Sequence, residues 1–207
     1  MRYIASAATP KLFCADSRGS IIFSSDVKIA FVFQEPLILE WKTVKDNIEF
    51  GLRASGAARQ DYEYAENLIE RFRLSQFRYY YPYQLSRGMK QLVALARALV
   101  LRPTLLLMDE PLSSLDALTR HLLQDFVIDI AMENTVSAIL VTHSMEEAAY
   151  CADRILLLSS RPARIEEEHK VPFPRPRKPS LRNSQEFREF ETALYQRIRS
   201  FIPDPLV

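Results

Sequence analysis

Three observations predict an α/β fold built on a parallel sheet. Helical and strand-like segments alternate from residue 86 to 159, as in a doubly wound sheet. Within that stretch, Leu105-Leu106-Leu107-Met108 is an unbroken apolar run between Pro103 and Pro111, the pattern of a strand buried on both faces. The run ends in two adjacent carboxylates, Asp109 and Glu110. That puts acidic groups at the carboxyl edge of the sheet, where α/β proteins hold ligands.

In chain order, residues 20–33 read as extended. Ser20-Ile21-Ile22-Phe23 is one apolar patch, and Ile29-Ala30-Phe31-Val32-Phe33 is a β-rich run ending at Gln34. Residues 43–77 carry two helical stripes, Val44, Ile48 and Leu52, then Ala65, Leu68, Ile69 and Phe72, with Gly56 between them. An aromatic patch over 77–83 leads to a helix bearing Met89, Leu92, Val93, Ala96, Leu99 and Val100, which Pro103 ends. Then follow a strand at 104–108, a helix at 117–133, a strand at 137–142, a helix at 145–151 and a strand at 154–159. From 161 to 182 the chain is rich in Arg and Pro, and Pro162, Pro172, Pro174, Pro176 and Pro179 prevent regular helix. Its basic side chains suit a solvated linker, or contact with lipid head groups or a partner subunit. A last helix is expected over 184–201. The organisation predicted is a core piece at 1–40, a helical subdomain at 41–100, an α/β core at 101–160 and a linker with terminal helix at 161–207.

The composition excludes several function classes. Of 207 residues, 48% are apolar and 26% charged, and the net charge is +1, so no global field recruits nucleic acid or acidic substrates and nucleic-acid binding is disfavoured. Cys14 and Cys151 lie far apart without metal-ligand spacing and read as two buried thiols in a reducing compartment. The apolar runs are strand-sized, well below the roughly 18 residues of a membrane span, and the first residues lack an apolar signal core. A cytoplasmic location is expected.

The acidic pair carries the strongest chemistry. At a sheet edge Asp109 suits a Mg²⁺ ion, held through water, and Glu110 suits polarising a water for attack on a γ-phosphate. An ordinary acidic turn looks the same in isolation. Val141-Thr142-His143 ends the next strand 33 residues after Glu110. A histidine there is either structural or placed to meet a phosphate or the attacking water. Ser144-Met145-Glu146-Glu147 reads as a helix start beside it. In Leu85-Ser86-Arg87-Gly88-Met89-Lys90-Gln91, Ser86 is placed to cap a helix whose first amides form an anion site, or to cap it with no ligand.

Together these segments resemble the ATP-binding subunits of ABC transporters. Phe31-Val32-Phe33-Gln34-Glu35-Pro36 resembles the Q-loop, Leu85 to Gln91 the signature motif and Leu105 to Pro111 Walker B. Ser113-Ser114-Leu115-Asp116 resembles the D-loop, and His143 the switch histidine. Five motifs in the family's order within residues 31–143 make the resemblance specific. Trp41 and Val171-Pro172-Phe173-Pro174-Arg175-Pro176-Arg177 are similar to the nitrate, sulfonate and taurine importer group.

The resemblance implies an ABC-type nucleotide-binding domain, a parallel-sheet core with a helical subdomain. In that family two such domains pair head to tail around two ATP molecules. Carried over by motif, Gln34 and Asp109 serve the Mg²⁺ ion, Glu110 the water and His143 the γ-phosphate. Ser86 and Gly88 face the partner's ATP, and Asp116 lies in the D-loop. The implied partners are a transmembrane permease, a second ATPase subunit, identical or different, and, indirectly, a periplasmic or lipid-anchored substrate-binding protein. The implied location is the inner face of the cell membrane. The lobe between Gln34 and Ser86 is implied to dock on the permease.

The sequence departs from the family in three places. It contains no GxxxxGK(S/T) loop, and its glycines are Gly19, Gly51, Gly56 and Gly88. That loop's amides and lysine cradle the phosphates. An N-terminally truncated domain is therefore expected, poorly soluble unless partnered because the sheet would expose apolar edges. Arg87 stands where glycine is usual, crowding a phosphate or adding a positive charge beside it. Leu92 replaces a common arginine. Two readings follow. One is an importer ATPase with a defective site of its own. The other is a non-catalytic subunit that completes an intact partner's site through Ser86 and Gly88.

Overall fold

The computed structural model describes residues 27–113, 115–133, 136–159 and 163–201; the patch at 20–23 and Cys14 lie outside the described residues. The chain divides into two units, one of residues up to 115 with 131–141, the other of residues 116–130 and 142 onward.

The first unit opens on strand β1 (Ile29–Val32) and continues through helices α1 (Val44–Ile48), α2 (Phe50–Ser55), α3 (Arg59–Arg71) and α4 (Arg87–Leu99). Strands β2 (Leu105–Asp109) and β3 (Ser137–Val141) complete it. The strands form one parallel sheet in the order β1-β2-β3, with Val32 opposite Met108 and Met108 opposite Leu140. The central strand behaves as its apolar run predicts: Leu106, Leu107 and Met108 are buried between its neighbours.

The helical stripes are buried as their spacing demands, Val44, Ile48 and Leu52 on α1 and α2, and Ala65, Leu68, Ile69 and Phe72 on and after α3. Thr43 caps α1 by accepting from the Asp46 amide at 3.2 Å. Gly56 ends α2 in the left-handed region at φ 64°, where a β-carbon would be strained. Gly51 serves close approach instead, since an added β-carbon would lie 3.0 Å from Leu101 Cδ1.

Between α1, α3 and the turn after α3, Glu66 pairs with Lys45 and, at 2.8 Å, with Arg78. The Lys45 hydrogen bond, reinforced by Arg78, holds the Glu66 carboxyl below its usual range. A carboxyl lowered by folding adds stability above its unfolded pKa, and that stability is lost as the pH falls through the folded value. Because the pair is partly solvated, Glu66→Gln should cost only about 0.5–1 kcal/mol near neutrality. Urea melts of both proteins should converge at acid pH, below the carboxylate range. A gap that persists there would assign the loss to packing.

Helix α5 (Ala117–Glu133) begins in the second unit and contributes its last three residues to the first. The second unit continues with α6 (Met145–Cys151), β4 (Arg154–Leu158), β5 (Ile165–Lys170) and α7 (Gln185–Phe201). Here the sequence reading needs two corrections. Strand β4 does not extend the parallel sheet: it pairs antiparallel with β5, Arg154 opposite Lys170 and Leu156 opposite Glu168. Its burial alternates accordingly, Ile155 and Leu157 inward, Leu156 and Leu158 exposed.

The second correction concerns the Pro- and Arg-rich stretch, which is no solvated linker. It supplies β5, Val171 and Phe173 to a core of Ile128, Ala149, Tyr150, Ile155, Leu157, Phe187 and Leu194. Strand β5 is mostly polar and exposed, so it carries no apolar alternation to announce it. Cys151, expected to be a buried thiol, is half-buried, and desolvation pushes its pKa up.

Candidate functional site

Because β1, β2 and β3 are parallel and in register, their carboxyl ends meet at one sheet edge. Gln34 lies two residues beyond β1, and Asp109 is the last residue of β2, opposite Val141. Glu110 extends the ladder by one bond, its N–H donating to the Val141 carbonyl at 2.9 Å. It does so at φ 45°, a left-handed conformation that costs a non-glycine residue about 1–2 kcal/mol. Such strain persists only where the surroundings over-determine it, and it concentrates at functional positions.

A short relay ties this edge together. The Gln34 side-chain amide donates to Ser113 Oγ at 3.2 Å, and Ser113 Oγ donates to the Glu110 carbonyl at 3.0 Å. With its nitrogen engaged, Gln34 has its carbonyl oxygen left to meet a cation. Asp109 and Glu110 are half-buried, and Gln34 is exposed. Two hard oxygen donors and a neighbouring carboxylate suit Mg²⁺, which takes one or two protein ligands and draws the rest from phosphate and water. Among the described residues no group of three His, Cys, Asp or Glu could cage a metal alone. The described residues also hold no glycine-rich cradle for a triphosphate. The residues present fit the metal end of a nucleotide and not its phosphate-binding end.

Ser86 and Gly88 form a second group at the start of α4. Ser86 Oγ accepts from the Met89 amide at 3.3 Å, the capping expected, and Ser86 and Arg87 are exposed. Asp116 and His143 belong to the second unit. Asp116 caps α5 by accepting from the Thr119 amide at 3.0 Å, and the hydrogen bonds from Thr119 hold its carboxyl low. His143 is exposed and stands just before the Ser144 cap of α6. Around it, Thr142 Oγ1 donates to Glu147, the Ser144 amide donates to Thr142 Oγ1 at 3.0 Å, and the Glu147 amide donates to Ser144 Oγ at 3.2 Å.

Sequence reasoning missed three residues that hold the segment after β1. Buried Gln91, on α4, donates to the Phe33 carbonyl at 3.1 Å. The Arg97 guanidinium donates to the Leu37 carbonyl, and burial pushes its pKa down. Fully buried Asn47 accepts from the Leu39 amide at 2.7 Å and donates to the carbonyls of Leu39, Lys42 and Thr43 at 3.0–3.1 Å. The available signal was a polar residue set among the apolar positions of each helix.

Residues 13–113 match the family model for ABC transporters. The aliphatic sulfonates import ATP-binding protein SsuB 2 of Pseudomonas syringae pv. tomato is 43% identical over 162 residues, covering 78% of this chain and 68% of that protein. This chain belongs to the ABC transporter family. The taurine import ATP-binding protein TauB of a Jannaschia species is 39% identical over 156 residues, covering 75% of this chain and 58% of its own. A metal-chelate-type ABC transporter solved in an inward-facing conformation shares the fold, with a TM-score of 0.57 at 24% identity over 70% of this chain and 58% of that one. The chain spans about three fifths to two thirds of the length of the curated relatives it matches. As a member of the ABC transporter family it has the expected α/β architecture, and the sheet edge bearing Gln34, Asp109 and Glu110 lies in the segments that resemble the Q-loop and Walker B. No helix among the described residues is long and apolar enough to cross a membrane.

Proposed function

We propose that this chain is the ATP-binding part of an ABC-type importer for sulfonate- or taurine-like anions. The observation that carries the reading is the relay from Gln34 through Ser113 to Glu110 at the carboxyl edge of the parallel sheet. It ties the Gln34 side chain to the backbone of Glu110, next to Asp109, which supports a Mg²⁺–phosphate group held at this edge. In this reading Gln34 and Asp109 orient the metal, Glu110 takes the proton of the attacking water, and His143 contacts the γ-phosphate. Asp116 keeps the start of α5 in place beside the partner. The chain works on the inner face of the membrane with a permease, a second ATPase subunit and, at one remove, a substrate-binding protein. The lobe between Gln34 and Ser86 docks on the permease, and residues 1–40 and 101–160 form the nucleotide-binding core.

A second reading is favoured by the exposure of Ser86 and Arg87 at the start of α4. This chain then completes the nucleotide site of an intact ATPase partner through Ser86 and Gly88 and hydrolyses nothing itself. Photolabelling of the membrane complex with 8-azido-ATP separates the two. The first reading expects Mg²⁺-dependent label on this chain, reduced by Gln34→Ala. The second expects label on the partner alone, lost when Ser86→Arg is introduced here. Label on neither subunit would overturn both.

A further inference from the structure

Helix α6 has only seven residues, too few to be stable alone. Its last carbonyls, which no later turn can satisfy, are taken by two arginines. Arg177 Nη1 donates to the Tyr150 and Ala152 carbonyls, each at 2.7 Å, and Arg175 Nη2 donates to the Cys151 carbonyl at 2.6 Å. The same two guanidiniums reach Asp153 at 3.4 Å and 2.7 Å, and Arg177 Nε donates to the Phe173 carbonyl at 3.1 Å. The Arg177 side chain is 1% exposed. A lysine ammonium cannot reproduce this, because only a planar fork spans several carbonyls in fixed directions.

The following turn holds the same helix elsewhere. Arg182 stacks 3.4 Å over the Tyr150 ring, bonds Asp125 and Gln124 at 2.9 Å, and lies 3.7 Å from Glu146 in the first turn of α6. Tyr150 in turn donates to Asp125 at 2.7 Å. Residues 173–182 therefore grip α6 at both ends. At its start the Thr142–Ser144–Glu147 bonds fasten the His143 segment to the helix. A shift of α6 would carry His143 with it.

We propose that Arg175 and Arg177 are positioning residues for His143, forming a collar on the C-terminus of α6 that sets where the histidine stands at its other end. The role of His143 in catalysis rests on the reading above; the collar itself does not.

The test uses the full chain labelled with ¹³C,¹⁵N-histidine, with the His143 ring signal assigned by its loss in His143→Gln. Arg177→Gln should speed amide exchange across Met145–Cys151 by about ten- to hundredfold and move the His143 ring resonance. Arg177→Lys should recover part of both. Arg154→Gln, which removes an exposed arginine of the same unit, should change neither. If Arg177→Gln unfolds the second unit, Arg175→Gln, which frees the Cys151 carbonyl and the Asp153 carboxylate but leaves the Tyr150 and Ala152 carbonyls bonded to Arg177, must show the same changes at smaller size. Faster exchange with an unmoved His143 signal, or no change in either, overturns the proposal. Neither readout involves nucleotide, so failure to bind ATP would count against the proposed function and leave the collar to be judged separately.

Discussion

Replacing Glu110 by glutamine should lower ATP turnover by the assembled transporter about 10²–10⁴-fold while leaving nucleotide binding nearly intact. Glutamine keeps the shape of the side chain and lets the backbone keep its bond to Val141, so the sheet edge should survive. In the proposed function, what is lost is the group that would accept a proton from the attacking water. The left-handed backbone at this position supplies an independent handle. Glu110→Gly relieves that strain and should raise stability by about 0.5–1 kcal/mol while abolishing turnover. A more stable and inactive protein marks a residue kept for chemistry. If turnover survives Glu110→Gln in the assembled complex, Glu110 is a turn residue and the first reading fails.

The second large effect is expected at Asn47, on stability. Its amide makes four bonds to the backbone of residues 39–43, and the residue is fully buried. Truncation to alanine leaves several backbone groups without a partner, each costing about 1–3 kcal/mol where water cannot replace the bond. Some of this loop is close enough to solvent to rehydrate, so a net loss of about 3 kcal/mol is expected from urea melts at an unchanged m-value. Asn47→Asp should cost at least as much, because a carboxylate would face three carbonyl oxygens with no proton to give. Trp41 rides on this loop and is largely exposed, so its fluorescence should report the same loosening before global unfolding. Equal stability of wild type and both variants would show that the loop is held by its other contacts.

Much of the first unit was legible because its signals are local. The apolar run at 105–108, the stripe at Val44, Ile48 and Leu52, and the capping serine at 86 each express a period or a cap that any single segment displays. Asp109 and Glu110 were legible as candidates for the same reason, since carboxylates after a buried strand sit at a sheet edge by geometry alone, while Gln34 was a candidate only through its resemblance to the Q-loop. The bonds among them were not. That Ser113 links Gln34 to Glu110, and that Gln91 and Arg97 hold the backbone after β1, depends on residues 58–79 positions apart meeting in space.

The second unit shows the opposite case. Four consecutive apolar residues at 155–158 suggested another parallel strand, yet only the partner determines the sheet that a strand joins. Here the partner is the polar segment 165–170, which no hydrophobic period marks. The arginines at 175, 177 and 182 read as a solvated basic stretch, because charge and proline content are all that composition can express. In the fold Arg177 is buried, Arg175 and Arg182 are half-buried, and the three bond to the backbone around the end of α6 and the side chains of α5. The sequence by itself determined the α/β class, the helices and the edge where the acidic pair lies, since those follow from periodicity and chain ends. Only the tertiary structure decided the antiparallel pairing of β4 and the use of arginine to hold α6, because both satisfy backbone groups whose partners lie far away along the chain.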